Sequence, residues 1–495
     1  MNKETKRFLF IITIGFIPLL SCGSSNSITN DEGNPPDGTT TGQSTAYVTS
    51  ATGLYSLTKI KSDMISESGS PGADIELVPT QAYQTMDGFG AAITYSTAYN
   101  LLKLSQADRT AFLRKTFSDT DGYGFSYVRI SIGCSDFSST EYTCCDTPGI
   151  ENFGLQSDDI NYVIPVMKEI LAINPNLKVI GSPWTCPRWM KVEDLDHKAP
   201  HNSWTDGHLN PDCYQAYSDY FVKWINTYQS AGVPIYAITP QNEPLNKGNC
   251  ASLYMPWSEE TDFLKVLIPS FKKSSVTTKI YAYDHNYDAY SYPLNLYKTM
   301  DGYEGSEYVV GAAFHNYLGD ESSLDNMHKE RPDKGLIFTE ASIGTWNDGR
   351  SLRSRLLDDM QHIALGTVNR YCTAVIVWNL MLDTNMGPNL DGGCQSCYGA
   401  VDINKNDYKT INLNSHYYVI AHLSSVIKPG AVRIGTNEKS LSTNGLIYSA
   451  FKNPDGTYAI VLCNTSEMQQ YISVGNGKNM IKLIVPAKSV VSTKW

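Results

Sequence analysis

The stretch Ile235-Tyr236-Ala237-Ile238-Thr239-Pro240-Gln241-Asn242-Glu243-Pro244 decides how the chain is read. Residues 235–239 have β-type character and run straight into a glutamate between two prolines. Pro240 and Pro244 have a fixed φ and no amide donor, so neither suits a central strand or a helix interior. The strand therefore ends here and presents Glu243 at its tip. A carboxylate at a strand tip, beside an amide side chain, is where barrel enzymes keep an acid/base group. A lone glutamate is by default a solvated loop residue, so the surrounding chain has to carry the reading.

Outward from this stretch, eight short apolar runs read as strands, at 86–94, 127–133, 178–184, 236–243, 279–285, 309–317, 335–342 and 373–381. The intervals carry helical periodicity. In 214–232 the apolar positions Tyr217, Tyr220, Phe221, Trp224, Ile225 and Tyr228 follow one helix face, and Gly232 stands as a stop. Ile160, Val163, Ile164, Met167, Ile170 and Leu171 repeat the pattern, with Ser157-Asp158-Asp159 as cap and Pro165 early, where proline is best tolerated. Strands alternating with helices predict a parallel sheet. Eight such units predict an α/β fold, a (β/α)8 TIM barrel spanning 81–427. A doubly wound open sheet is the alternative, but no G-x-G-x-x-G follows a strand. After about residue 428 the helices stop. Short runs at 432–434, 446–451, 458–462, 471–474, 481–485 and 490–493, with turns at Asn453-Pro454-Asp455-Gly456 and Gly475-Asn476-Gly477, read as a small β-sandwich over 428–495. Strands in 46–80 are expected to complete it.

The N-terminus reads as a targeting segment. Lys3, Lys6 and Arg7 precede an apolar run too short to span a bilayer, which ends Leu19-Leu20-Ser21-Cys22-Gly23. Residues 1–22 resemble a bacterial lipoprotein signal, with Cys22 as the lipid-bearing residue. Residues 23–45, rich in Ser, Thr, Gly, Asn and Pro, read as a flexible tether. The expected location is the cell envelope, outside the cytoplasm, with membrane contact only through that anchor. The net charge of −11 argues against nucleic acid as a partner. A monomer is favoured. Ten cysteines remain besides Cys22. Partial disulfide pairing in loops is expected, and a zinc reading of Cys394-x-x-Cys397 is weak without a second pair at ligand spacing.

On the predicted strand tips stand Arg129, Ser182-Pro183-Trp184, Asn242-Glu243, His315-Asn316-Tyr317, Thr339-Glu340 and Trp378-Asn379. Glu243 and Glu340, on the fourth and seventh strands, face one another across the barrel mouth. Two carboxylates flanking a pocket are the minimum for glycoside hydrolysis, one as nucleophile and one as acid/base. Asn242 could hold a sugar 2-OH. Tyr317 and Arg129 could donate to Glu340 and keep it charged. Trp184 and Trp378 offer flat apolar faces for a pyranose ring. No metal or organic cofactor is implied, since histidine is sparse and forms no ligand cluster in the sequence.

Taken together, Asp87-Gly88-Phe89-Gly90-Ala91-Ala92-Ile93-Thr94, Cys134-Ser135-Asp136-Phe137-Ser138, Ser182-Pro183-Trp184-Thr185, Gln241-Asn242-Glu243-Pro244, His315-Asn316-Tyr317, Thr339-Glu340-Ala341 and Trp378-Asn379-Leu380 resemble glycoside hydrolase family 30. This is the family of glucosylceramidases and microbial endo-β-1,6-glucanases. The resemblance runs from about residue 80 to the end. It implies a barrel with an attached sandwich and a retaining mechanism, with Glu243 as acid/base and Glu340 as nucleophile. It places Trp184, Asn242, Trp378 and Asn389 around the glucose and Tyr317 close to the nucleophile, and His315, Arg129 and Tyr95 complete the expected substrate-binding set. In glucosylceramidase the first-strand motif ends Thr-Asp, read as a carboxylate clamp on a terminal glucose. Here the pair is Thr94-Tyr95. A pocket without that charge need not demand a free terminus, so the expected activity is endo-β-1,6-glucanase. Glucosylceramidase, exo-β-glucosidase and xylan-directed hydrolase are the alternatives, and a non-catalytic glycan-binding lipoprotein is the rival outside the enzymes.

Overall fold

In the computed structural model, which describes residues 40–67, 72–438 and 445–495, the eight predicted strand regions all form strands of one parallel sheet. They are β1 (Gly88–Ala91), β2 (Tyr127–Ser131), β3 (Lys178–Ser182), β4 (Ala237–Ile238), β5 (Lys279–Asn286), β6 (Val309–His315), β7 (Gly335–Glu340) and β8 (Cys372–Val377). Each pairs with its sequence neighbour, and β8 pairs back on β1. Closure between β1 and β2 runs through Ser126 N–H to Phe89 O (2.9 Å) and Ile93 N–H to Arg129 O (2.8 Å). The barrel interior is filled by Tyr127, Ile180, Ala237, Tyr281, Ala313, Ile337, Ala374 and Ile376. Large and small side chains from seven strands interleave there, so the interior is packed and chemistry is confined to the mouth.

The ladder of β4 is only two residues long because the flanking prolines remove donors. Beyond it the chain still bonds to both neighbours: Thr239 N–H to Gly181 O, Asn242 N–H to Pro183 O and Glu243 N–H to Asp284 O, at 3.0, 2.7 and 3.0 Å. Glu243 itself has φ +46°, a left-handed conformation that a glutamate adopts only at a cost and that the surroundings must impose.

The helix Tyr214–Ser230 buries the predicted stripe Tyr217, Tyr220, Phe221, Trp224, Ile225 and Tyr228. The stripe beginning at Ile160 departs from expectation. Residues Asp159–Val163 form a widened π-turn before the α-helix Ile164–Ile173, and Ile160 is 54% exposed. Pro165 has no N–H to close the preceding α-turn, so the first turn opens and Ile160 rotates outward.

The two ends of the described residues meet in a second, closed antiparallel-rich sheet of nine strands. Thr40–Ser50, Thr58–Ser66 and Ile75–Thr85 join Val432–Glu438, Leu446–Lys452, Tyr458–Asn464, Gln470–Gly475, Asn479–Val485 and Ser489–Lys494. Thr45 pairs with Lys494 and Val432 with Thr85, so the first and last strands are neighbours. The first strand starts at Thr40, six residues inside the segment read as tether. Its polar composition hid an alternation in which Ser44, Ala46 and Val48 turn inward, and Thr is itself a good strand former. The signal segment, Cys22 and residues 23–39 of the tether lie outside the described residues.

Cys394 and Cys397 form a disulfide in the loop after β8. The adjacent pair Cys144-Cys145 is unbridged, and both thiols are buried.

Candidate active site

The mouth of the barrel holds a cavity of about 630 Å³. Glu243 and Glu340 both line it, with Asp136, Tyr317 and Trp378. One oxygen each of Glu243 and Glu340 lie within 4.8 Å of one another and of a His315 nitrogen.

Beneath the pair is a buried charge network centred on Asp284, a residue without an assigned role in the sequence reading. Its Oδ2 accepts from Arg129 Nη2 (2.8 Å) and lies 3.0 and 2.8 Å from the Ser182 and Thr239 hydroxyls. Its Oδ1 accepts from Thr339 Oγ1 (2.6 Å) and faces His315 Nε2 (3.1 Å). Donors from β2, β3, β6, β7 and the end of β4 thus converge on one carboxylate. Burial would raise its pKa, but the Arg129 charge and the His315 hydrogen bond hold it well below the usual carboxylate range. A full set of partners is what allows a charge to sit in a barrel interior.

Arg129 distributes this field. Nη1 donates to Glu340 Oε2 at 2.6 Å and Nη2 also donates to Asn242 Oδ1 at 2.6 Å. Tyr317 Oη donates to Glu340 Oε1 at 2.9 Å. Glu340 therefore takes two short donors, one of them a fixed cation. Glu243 faces His315 Nδ1 at 3.3 Å and accepts from Asn246 Nδ2 at 2.8 Å. The two glutamates are close and buried, so they titrate as a unit. Burial would raise Glu243, but the His315 hydrogen bond and charge hold it low, at about 2, whereas burial with the neighbouring Glu243 and Asp284 charges raises Glu340 against the pull of His315 and Arg129. The free site therefore rests with its charge on Glu243, and the donors Arg129 Nη1 and Tyr317 Oη equip Glu340 to carry that charge when the proton shared by the pair moves to Glu243.

Both ring nitrogens of His315 point at carboxylates. Burial alone would lower its pKa, but the charge of Glu340 and the hydrogen bonds to Asp284 and Glu243 raise it from 6.5 to about 9. A raised folded value stabilises the protein fully below the unfolded pKa of 6.5 and loses that contribution as pH climbs through about 9. His315→Gln is thus expected to lower Tm by several degrees at pH 6 and by much less at pH 9.5. A Tm difference constant across a pH 6–10 series would contradict the charged assignment. The cluster of Glu243, His315 and Glu340 also shows that the sequence hid a set of metal-type donors. Arg129 already supplies the positive charge there.

The other predicted residues divide. Trp378 lines the cavity. Trp184, expected to offer a face to the sugar, is 2% exposed and stacks on Trp378 at 5.1 Å, so it backs the platform rather than forming it. Asn242 is buried and committed to Arg129. Asn389 is half-buried, donates to Met386 O at 2.9 Å and is not among the cavity-lining residues.

Tyr95 corrects the reading of the first strand. Thr94 caps the helix Tyr95–Lys103, and Tyr95 packs against Tyr162 and Tyr99 at 4.8 and 5.8 Å, away from the cavity lining. The cavity is not short of a carboxylate, because Asp136 supplies one. Asp136 is buried, lines the cavity, and leaves Oδ1 without a partner. Burial and the nearby Glu340 charge push it well above the usual carboxylate range. A carboxyl in the wall of a cavity with one oxygen unpaired has hydrogen-bonding capacity that the protein itself does not use. The motif Cys134–Ser138 contained it, but its loop position gave no sign of where it would point.

The Glycosyl hydrolase family 30 TIM-barrel domain profile matches residues 86–427, and the family 30 beta sandwich domain profile matches 430–493. The chain is 32% identical to an endo-1,6-beta-D-glucanase of Trichoderma harzianum over 477 residues, covering 91% of this chain and 92% of the relative. It is 26% identical to the mouse lysosomal acid glucosylceramidase over 449 residues, covering 86% and 84%. Among solved structures, the endo-beta1,6-glucanase BT3312 superposes with a TM-score of 0.87 at 56% identity, over 91% of this chain and 99% of that one. With both domains matched and the two carboxylates in place across the barrel mouth, this chain belongs to glycosyl hydrolase family 30.

Proposed function

We propose that this glycosidase is a retaining endo-β-1,6-glucanase acting on β-1,6-glucan. The observation that carries the stereochemistry is the gap between the carboxylates. Their nearest oxygens lie within 4.8 Å, whereas an inverting enzyme needs roughly 6.5–9.5 Å to seat a water between them. Glu340, ionised against Arg129 and Tyr317, attacks the anomeric carbon. Glu243 gives its proton to the departing glycosidic oxygen, and a glucosyl ester forms on Glu340. Esterification removes the Glu340 carboxylate, the group with which Glu243 shares its proton. The donors His315 and Asn246 then hold Glu243 as a carboxylate, able to take a proton from the water that attacks the ester. Release of the sugar restores both groups.

The linkage and endo action are supported by the two glucanase relatives, each spanning nine-tenths or more of both chains. Asp136 gives the sugar a polar anchor in the same cavity. Removing it would leave a buried sugar hydroxyl without its partner, at a cost of about 1–3 kcal/mol. Asp136→Ala is expected to cost roughly 10- to 100-fold in kcat/KM on β-1,6-linked oligosaccharides, and a loss under twofold would remove Asp136 from sugar binding.

The reading is tested by digesting β-1,6-glucan, β-1,3-glucan and glucosylceramide side by side and resolving products by size. Mixed oligosaccharides from β-1,6-glucan alone support it. Glucose as the sole product would make the enzyme an exo-glucosidase, and turnover only of the lipid would make it a glucosylceramidase.

A further inference from the structure

Seven large hydrophobic side chains are exposed among the described residues: Leu54, Ile160, Tyr317, Leu318, Trp346, Met468 and Tyr471. Three of them, Tyr317, Leu318 and Trp346, line the same cavity as the catalytic pair. Tyr317 is committed to Glu340, but Trp346 has no part in the chemistry. It is 54% exposed and is the one tryptophan in that set. An indole left in water at the mouth of a catalytic cavity marks a surface built to be covered by something.

The local structure holds the ring in place. Trp346 follows the short strand Ile343–Gly344, which pairs antiparallel with Cys397–Tyr398. Thr345 N–H donates to Ser396 O at 3.0 Å, and Gly344 N–H donates to Asn347 Oδ1 at 3.0 Å. The Cys394–Cys397 disulfide ties the partner loop, and both half-cystines line the cavity. Gly344 lies directly against the indole. A Cβ added there would come within 1.9 Å of the ring and 2.4 Å of Ser396 O, so only glycine lets the ring settle on the backbone. The Cζ3–Cη2 edge of the indole is thus packed on Gly344, while about half of the side chain stays exposed. A side chain packed along one edge leaves less freedom for binding to take from it.

We propose that Trp346 is a stacking platform for a glucosyl unit of the substrate outside the catalytic subsite, an inference that rests on the glucanase reading above. The glucose that reacts is held deep in the cavity, between Asp136, Trp378 and Glu340. The rest of a polymer must leave through the mouth, where Trp346 and Leu318 are exposed. The apolar faces of glucose rings suit an indole face, and a flat contact reads ring shape more than hydroxyl pattern. Binding energy collected at this remote unit is available to the reacting one, so the platform favours chains over short glucosides.

The test uses the full chain with Trp346→Ala and Trp346→Phe, and measures kcat/KM on β-1,6-linked di-, tri-, tetra- and hexasaccharides. For Trp346→Ala the loss is expected to grow with chain length and to reach roughly tenfold or more on the hexasaccharide. Trp346→Phe, which keeps an aromatic face, is expected to recover most of it. A loss of equal size at every length, or no loss, would overturn the platform. If the wild-type enzyme cuts the oligosaccharides and only the length dependence is unmoved, the glucanase reading stands without it. If the wild type cuts no β-1,6 linkage, both fall together.

Discussion

Replacing Glu340 by glutamine is expected to lower kcat on β-1,6-glucan by at least about 10⁴-fold. The amide keeps the shape of the side chain but cannot attack the anomeric carbon or carry the glucosyl ester. The site would otherwise survive, because Asp284 still pairs with Arg129 at 2.8 Å and so leaves no unpaired buried cation. The variant should therefore fold and still bind oligosaccharide, with a near-ultraviolet circular dichroism spectrum like the wild type. The size of the loss separates this residue from its neighbours, since a hydrogen-bonding partner of the nucleophile would cost far less. A variant retaining more than a tenth of the wild-type rate would place the nucleophile elsewhere.

Glu243→Gln is expected to show a loss that depends on the leaving group. On a glucan, where an alkoxide must leave, removal of the acid costs about 10²–10⁴-fold. On an aryl β-glucoside with a strongly acidic phenol, no proton is needed in the first half, so bond cleavage should stay fast. The second half still lacks its base. A burst of phenol followed by slow turnover is the expected trace, because the ester on Glu340 accumulates. Equal losses on both substrates with no burst would mean that Glu243 acts only through the positions of its neighbours.

Much of this site was legible because barrel chemistry sits where strands end and strand ends have local signals. Pro240 and Pro244 mark the end of β4, and Thr339-Glu340 closes an unbroken apolar run. What was hidden depends on groups that meet only in the fold. Asp284 sits inside the run 279–285, where an acidic residue looks like a break in a strand. Its meaning comes from Arg129, Ser182, Thr239, His315 and Thr339, scattered over more than 200 residues. Asp136 lies in a loop and reaches the cavity because its backbone is clasped by a loop after β8, with Leu390 N–H donating to Asp136 O at 2.9 Å. Trp184 and Tyr95 were misplaced for the opposite reason. Both are next to strand tips, but one indole is covered by another and one tyrosine is turned away by a helix that starts at its own backbone. Position along the chain gives the layer of a barrel, and packing decides which side chain in that layer is free.

The central claim is retaining, internal cleavage of β-1,6-glucan by the Glu243–Glu340 pair. A proton NMR time course of a β-1,6-glucan digest tests it most directly, by reading the anomeric signals of new reducing ends in the first minutes. The β-anomer should appear first, on oligosaccharides of several lengths, with the α-anomer growing in only by mutarotation. New ends that appear first as the α-anomer would contradict the account.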